Sequence, residues 1–438
     1  MTERFLDLFT DINRRYLCWG ILALFIVDFG VAHNLCWLNP DNRRPTVYHP
    51  TIYYGWEYNL DSGLEIRSAI DFPDGMILYR DRIARPLKNA VISVPITIID
   101  TFFPLNDGQK IIMSYVLHHL MNFVVMAAVW IILLYLAQQL RIPATGVLMM
   151  YIIFLFHFLQ ALTTSHTGVF QVAITVFSAA VVYRLSQLKQ HVKDSSFHWY
   201  VALYLFFCGF FILIKQDLAP FLALFLFALY RGYWKSLLIG SLSFIAPFFI
   251  YKGMLAVSGI EWYNHEVSQY GQGIWFLRGF CELDPNSIGW GAEFFILIVQ
   301  QGLTTLAQLF SKLWPSLVAF VRYFGVVPTI LAASVFFIKD LRRKLNQNVK
   351  LLIVLLLMAN VIQTIAAYRF KPYMFSDSFI IVALLFGMAF SWLQERYASS
   401  TIFKVLVAVW FVGALSIILY SMIHFPWVHP ADQLKRTI

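Results

Sequence analysis

Apolar runs of about twenty residues, the length that carries a helix across the hydrocarbon core of a bilayer, recur along this chain and leave few folds open to it. About eleven stand out, at roughly 16–37, 111–139, 143–163, 168–185, 199–214, 217–230, 236–257, 316–338, 350–368, 376–393 and 402–423. In lipid every backbone amide must be satisfied within the segment or a closed barrel, so such runs fold as helices. The expected fold class is therefore an all-α polytopic membrane protein, one integral-membrane domain over 1–438. Composition agrees: 59% of the residues are hydrophobic and 13% charged, against a charged share of ~25% in soluble domains. Disorder, collagen-like repeats and an ordinary cytosolic enzyme are excluded. The net charge of +9 reads as topology and contact with membrane lipids rather than nucleic acid. Cys18, Cys36, Cys208 and Cys281 show no CxxC spacing, so neither a zinc site nor a disulfide framework is expected. The first apolar run lacks a small-residue cleavage site and reads as an uncleaved anchor.

Lys and Arg in short connections set the orientation. One set of ends carries Arg4, Arg14, Arg15, Arg141, Arg184, Lys189, Lys193, Arg231, Lys235, Lys339, Arg342, Arg343, Lys344, Arg396 and Lys404. The opposite short ends carry only Lys215, Arg369 and Lys371. The first set is expected on the cytoplasmic side, with the N-terminus inside. Two large loops, 38–110 and 258–315, then lie outside. Within the first, Leu78 to Phe103 reads as one or two amphipathic helices along the interface. Ile83, Leu87, Val91 and Val94 share one face; Arg82, Arg85 and Lys88 lie on another. The fifth and sixth runs meet at the polar break Lys215-Gln216-Asp217. No internal repeat is visible, which counts against a secondary transporter built from inverted repeats.

Most ionisable residues sit in the outer loops or at outer span ends, among them Asp61, Glu65, Asp71, Asp81, Lys215, Asp217, His265, Glu266, Arg369 and Lys371. Asp28 and His118-His119 are the main intramembrane exceptions. Cargo must cross the midplane, so this distribution favours chemistry at the outer face over transport. A first-loop carboxylate, with Asp61 leading and Asp71 and Glu57 as alternatives, can accept a proton from a hydroxyl nucleophile if partial burial raises its pKa. Loop acids can equally pair with neighbouring arginines. Tyr368-Arg369-Phe370-Lys371-Pro372 sets two cations just beyond an apolar run, a pattern that suits a phosphate leaving group or simple interfacial anchoring. Lys215 and Arg322 are further phosphate candidates, and His265-Glu266 could contact substrate. His118 and His119 point about 100° apart on a helix and cannot ligate one centre together. A haem would therefore need His157 or His166 opposite.

Three stretches resemble the GT-C class of integral-membrane glycosyltransferases. Asp61 followed by Gly75 resembles the acid…Gly pattern of that class's first outer loop. Gly75…Tyr79-Arg80-Asp81…Pro86-Leu87 resembles its Gly…Tyr-Arg-Asp…Pro-Leu stretch, and Tyr368-Arg369-Phe370-Lys371-Pro372 resembles its late Arg-(Phe/Tyr)-x-x-Pro element with the proline one residue early. Ser62 stands where many members carry a second acid, which keeps Asp61, Asp71 and Glu57 all open as the base. The resemblance implies inverting transfer of a sugar from a polyprenyl-phosphate carrier to a lipid, glycan or protein acceptor. It places the active site on the periplasmic side of a bacterial inner membrane. Arg369, Lys371, Lys215 and Arg322 would bind the donor phosphate; Tyr79, Arg80, Asp81, His265, Glu266 and Tyr368 would touch substrate. No cofactor is expected to be required and no metal ligand is assigned, although several loop acids could bind a divalent cation. Rival readings are a polymerase or ligase acting on diphosphate-linked glycans, and a lipid or solute transporter.

Overall fold

The computed structural model describes residues 15–16, 18–26, 60–78, 83, 85–162, 168–187, 195–214, 234–262, 317–318, 320–321, 324–345, 350, 353–354 and 378–423. The described residues are helical and turn, with no strand among them. The helices are α1 (Leu60–Ile70), α2 (Asp74–Leu78), α3 (Pro86–Phe102), α4 (Asp107–Gln139), α5 (Ala144–Leu162), α6 (Gly168–Gln187), α7 (Ser195–Ile212), α8 (Trp234–Val257), α9 (Val326–Phe337), α10 (Lys339–Lys344), α11 (Phe379–Tyr397) and α12 (Thr401–Ile423). Asp107–Gln139, Leu237–Val257 and Phe379–Tyr397 are long and apolar enough to cross a membrane. Shorter apolar helices run through Ala144–Leu155, Val201–Ile212, Val326–Phe337 and Thr401–Ser416. The expected spans at 217–230 and 350–368, and the loop 258–315, lie almost wholly outside the described residues.

Local chemistry explains the ends of α4. Asn106 caps it: its Oδ1 accepts from the Gln109 amide at 2.9 Å while Gln109 Oε1 accepts from the Asn106 amide at 2.9 Å. This reciprocal box satisfies two otherwise orphaned donors and starts the helix a turn earlier than the apolar run alone implies. At the other end, Arg141 takes φ 54°, the left-handed region. The Ile142 amide reaches Ala137 O at 2.9 Å and the Arg141 amide reaches Gln138 O at 2.9 Å, the bonding of a Schellman stop. Gly259 ends α8 in the same way with φ 68°, but without the steric cost that a Cβ imposes on Arg141.

The bundle core is aromatic where α4, α5 and α11 meet. Trp130 lies 4.5 Å from Tyr151 and 5.5 Å from Phe154, whose ring is 6.3 Å from Phe379. Tyr151 donates its hydroxyl to Gly20 O, pinning the helical stretch 18–26 to this cluster. Small residues let the backbones approach. A Cβ on Gly146 of α5 would lie 2.6 Å from Gly387 O, and one on Gly387 would lie 3.0 Å from Gly146 O and 2.7 Å from Met150 Cγ. Backbone oxygens cannot rotate away, so Gly387→Leu should push α5 and α11 apart and cost about 3 kcal/mol or more. Gly413 of α12 has nothing within 4 Å of its Cβ position, so Gly413→Ala should be neutral or slightly stabilising. Thermal unfolding of the two variants in detergent, monitored by retention of the monodisperse peak, separates these outcomes.

The ends of helices bearing Arg141, Lys344, Arg396 and Lys404 gather at one end of the bundle. Arg396 pairs with Asp340 at 3.0 Å and stacks over Trp392 at 4.7 Å; Lys344 lies 3.8 Å from Glu395. These residues belong to the set that the charge pattern assigns to one side of the membrane.

Candidate functional site

At the opposite end of α4, the first-loop helices build a corner. α4 has 33 residues, roughly 50 Å of helix, well beyond the ~30 Å hydrocarbon thickness. α1 and α3 dock against its first half. Ile66 packs with Ile111, and Ala69, Ile92 and Ile96 form a second small cluster backed by Met113, Leu117 and Met121. Outside these apolar patches the three helices turn polar residues toward one another. Glu65 and Ser68 of α1, Lys88, Asn89 and Ser93 of α3, Ser114, His118 and Asn122 of α4, and Arg85 just before α3 are all buried, Lys88 at 1% and Glu65 at 2% exposure.

The spacing causes this. Ser114, His118 and Asn122 recur every fourth residue and so form one stripe along α4, while Lys88, Asn89 and Ser93 share a face of α3. The expected apolar face is split: Val91 and Val94 are exposed while Ile83 is buried, and Lys88 and Arg85 of the expected polar face lie inside with Ile92 and Ile96. Val91, Val94, Ile98 and Phe102 point outward. In water that arrangement would be costly; against lipid it is favoured, because apolar side chains lose nothing by facing acyl chains. Helix α1 is absent from the sequence reading, since its inward Glu65 and Ser68 erase the apolar period that would have marked it.

His118 Nδ1 donates to Ser114 O at 2.8 Å; a carbonyl can only accept, so the proton sits on Nδ1. Nε2 is then an acceptor, buried without a hydrogen-bond donor among the described residues, as Ser68 Oγ is without a partner. Ser114 Oγ lies 3.4 Å from Ile66 O, tying α4 to α1. Lys88 is close enough to His118 for its charge to act on the ring. The corner is also tied to the mid-chain helices. The Leu87 amide donates to Leu213 O at 3.2 Å, and Tyr251 Oη donates to Ile83 O at 2.8 Å. Lys252 lies over Phe248 and Trp262 at 5.7 and 5.4 Å.

Above the corner one ion pair ties α1 to α4 and a second ties α3 to α4. Arg67 grips Asp107 through two bonds of 2.8 and 3.2 Å. Lys110 Nζ donates to Asp100 Oδ2 at 2.6 Å and the Leu105 amide to Asp100 Oδ1 at 2.8 Å. The Lys110 bond, helped by the Leu105 amide, holds the Asp100 carboxyl below its usual pKa. A depressed carboxyl contributes stability above its unfolded pKa and loses it as pH falls through the folded value. Asp100→Asn should therefore lower the melting temperature slightly at pH 7, and the difference should begin to shrink as the pH falls below the ordinary value of 3.8 and close below the lower folded value; a gap that never narrows on acidification would show that the pair contributes nothing. Asp71, exposed at the end of α1, is shifted the other way. Partial loss of hydration raises its pKa against the lowering pull of Arg67, with the charge of Asp107 adding to the rise.

Of the residues singled out from sequence, Asp61 lies in the first turn of α1, one turn before Glu65, and Asp71 just beyond its end. Glu57, Tyr79, Arg80, Asp81, Lys215, His265, Glu266, Arg322, Tyr368, Arg369 and Lys371 lie outside the described residues, as do Asp28 and His166. The described chain reaches Ile214, and Leu213, the residue before it, accepts from the Leu87 amide of α3. Sequence reasoning passed over Asn89, Asn122, Ser68 and Ser114. The four-residue spacing of Ser114, His118 and Asn122 inside an apolar run is the signal that could have found them. No group of three or more His, Cys, Asp or Glu residues is placed to hold a metal among the described residues.

Among the described residues, a helical bundle with three segments long and apolar enough to cross a bilayer, apolar outward faces and a polar corner at one end defines a class: this is an α-helical membrane protein. Comparison with protein-family models, curated proteins and solved structures finds no match for the chain.

Proposed function

We propose that the protein is a glycosyltransferase of the polyprenyl-phosphate-dependent kind, with its site at the outer, periplasmic face of a bacterial inner membrane. The observation that carries the reading is the buried corner of α1, α3 and α4. Its helices bury a carboxylate (Glu65), a cation (Lys88) and neutral hydrogen-bonding groups, with Arg85 buried just before α3. An anionic carrier phosphate leaving a sugar needs positive charge where its own charge develops, in a site that excludes water. The acceptor hydroxyl needs a carboxylate base; Asp61 opens the helix that carries Glu65, and the resemblance in the first loop points to the same residue. In this reading the base takes the hydroxyl proton, the acceptor oxygen bonds to the anomeric carbon as the carbon–oxygen bond to the phosphate breaks, and the configuration inverts. Arg369, Lys371, Lys215 and Arg322 remain the proposed partners of the donor phosphate from later in the chain. Tyr79, Arg80, Asp81, His265, Glu266 and Tyr368 remain the proposed substrate contacts.

The test uses the full chain in proteoliposomes with a radiolabelled polyprenyl-phosphate monosaccharide. Label recovered in a new covalent product, with free polyprenyl phosphate released in equal amount, is the expected result. Label that crosses the bilayer still attached to its carrier would overturn it in favour of a lipid transporter. Chains of many sugars from a diphosphate-linked donor would favour a polymerase.

A further inference from the structure

A second site lies at the other end of the bundle and is independent of the reading above. Helices α5, α11 and α12 leave a groove of about 410 Å³ between them, within the ~300–1,000 Å³ range of small-molecule sites. Its walls are apolar, with Met149, Phe390, Val407 and Phe411 among them, and Leu148 and Val412 exposed at the rim. Its polar members lie together: Thr145 in the first turn of α5, Gln394 in the last turn of α11 and Lys404 in the first turn of α12. The groove is thus greasy along its length and polar at the end of the bundle where the basic residues gather.

The charges there are unevenly matched. Arg396 is engaged by Asp340 and Trp392, and Glu395 by Lys344. Lys404 is exposed and has no carboxylate partner among the described residues, and Arg141 stands one turn before Thr145. Gln394 Oε1 is buried without a hydrogen-bond donor among the described residues. A ligand that fits must therefore bring an apolar chain and, at the polar end of the groove, a negative charge and a donor group. Basic pockets between spans on the cytoplasmic side take anionic headgroups for the same reason. We propose that this groove holds an anionic phospholipid, one acyl chain between α5, α11 and α12 and its phosphate at Lys404, with a headgroup hydroxyl available to Gln394.

The test is native mass spectrometry of the full chain released from detergent and titrated with phosphatidylglycerol, phosphatidylcholine or inorganic phosphate. The wild type should retain phosphatidylglycerol over phosphatidylcholine by about five-fold, the factor that accompanies one Lys at a membrane surface. Lys404→Gln should erase that preference while leaving total lipid bound. Ala408→Phe, or Val412→Trp if the first variant aggregates, should block the groove and reduce retention of both lipids. An unchanged preference in Lys404→Gln overturns the proposal. So does retention of inorganic phosphate alone at the same site, or a dimer that Ala408→Phe dissolves, which would make a second copy of the chain the occupant.

Discussion

Asparagine in place of Asp61 should lower sugar transfer by about 10²–10⁴ with the protein still folded in lipid. Asparagine keeps the size and the hydrogen bond of the carboxylate but cannot take a proton, so the loss should appear in kcat rather than in KM. The helix gives the test its contrast. Asp61 stands in the first turn of α1. Asp71 stands past the other end, ten residues on, roughly 15 Å away along the axis, with its pKa raised. A raised pKa makes a stronger base, so Asp71 is the serious rival, and the distance prevents both from serving one acceptor oxygen. Assays of Asp61→Asn and Asp71→Asn in the same membranes decide between them. Full transfer by Asp61→Asn with loss in Asp71→Asn would move the base to the far end of the helix; full transfer by both would leave Glu57.

The second large effect is expected on stability. Lys88→Met keeps the volume of the side chain but removes a charge from the corner that also holds Glu65 and Arg85. Removing one member of a buried set of opposite charges leaves the rest uncompensated, at a cost of about 3–5 kcal/mol. Glu65→Leu should cost a similar amount, since it removes the buried carboxylate from the same corner. The double variant Glu65→Leu/Lys88→Met should recover most of the loss, because a well-packed apolar pair in a buried site is often as stable as the ions it replaces. Denaturation in detergent of the wild type, both single variants and the double variant measures the coupling. Strictly additive losses would show that the two groups do not compensate each other. The same proteins bear on function: a double variant that is stable yet inactive is expected if Lys88 serves the donor phosphate, whereas a stable and active one would give the corner a purely structural role.

Much of the helix layout was legible along the chain. The runs at 143–163, 236–257 and 402–423 meet α5, α8 and α12 within two residues at each end, because twenty consecutive apolar residues determine a helix without reference to their neighbours. The start of α4 was missed by a turn, since the Asn106 box lies outside the apolar run. Helix α1 was missed altogether. Its pattern is spoiled by Glu65 and Ser68, which are tolerated inside only because α3 and α4 bring polar partners of their own.

The candidate site divides along the same line. Sequence could name Lys88 as one face of an amphipathic segment, and His118 as an odd residue in an apolar run. Their meeting required α3 to dock on α4 with its apolar face turned to lipid, a choice no periodicity encodes. The chain by itself determined that this is a helical membrane protein, because in lipid each backbone amide must be satisfied within its own segment, a local demand. Only the tertiary structure decided which faces point inward. Beside acyl chains an apolar surface has no need of burial, so the polar groups seek one another, and their partners lie on other helices.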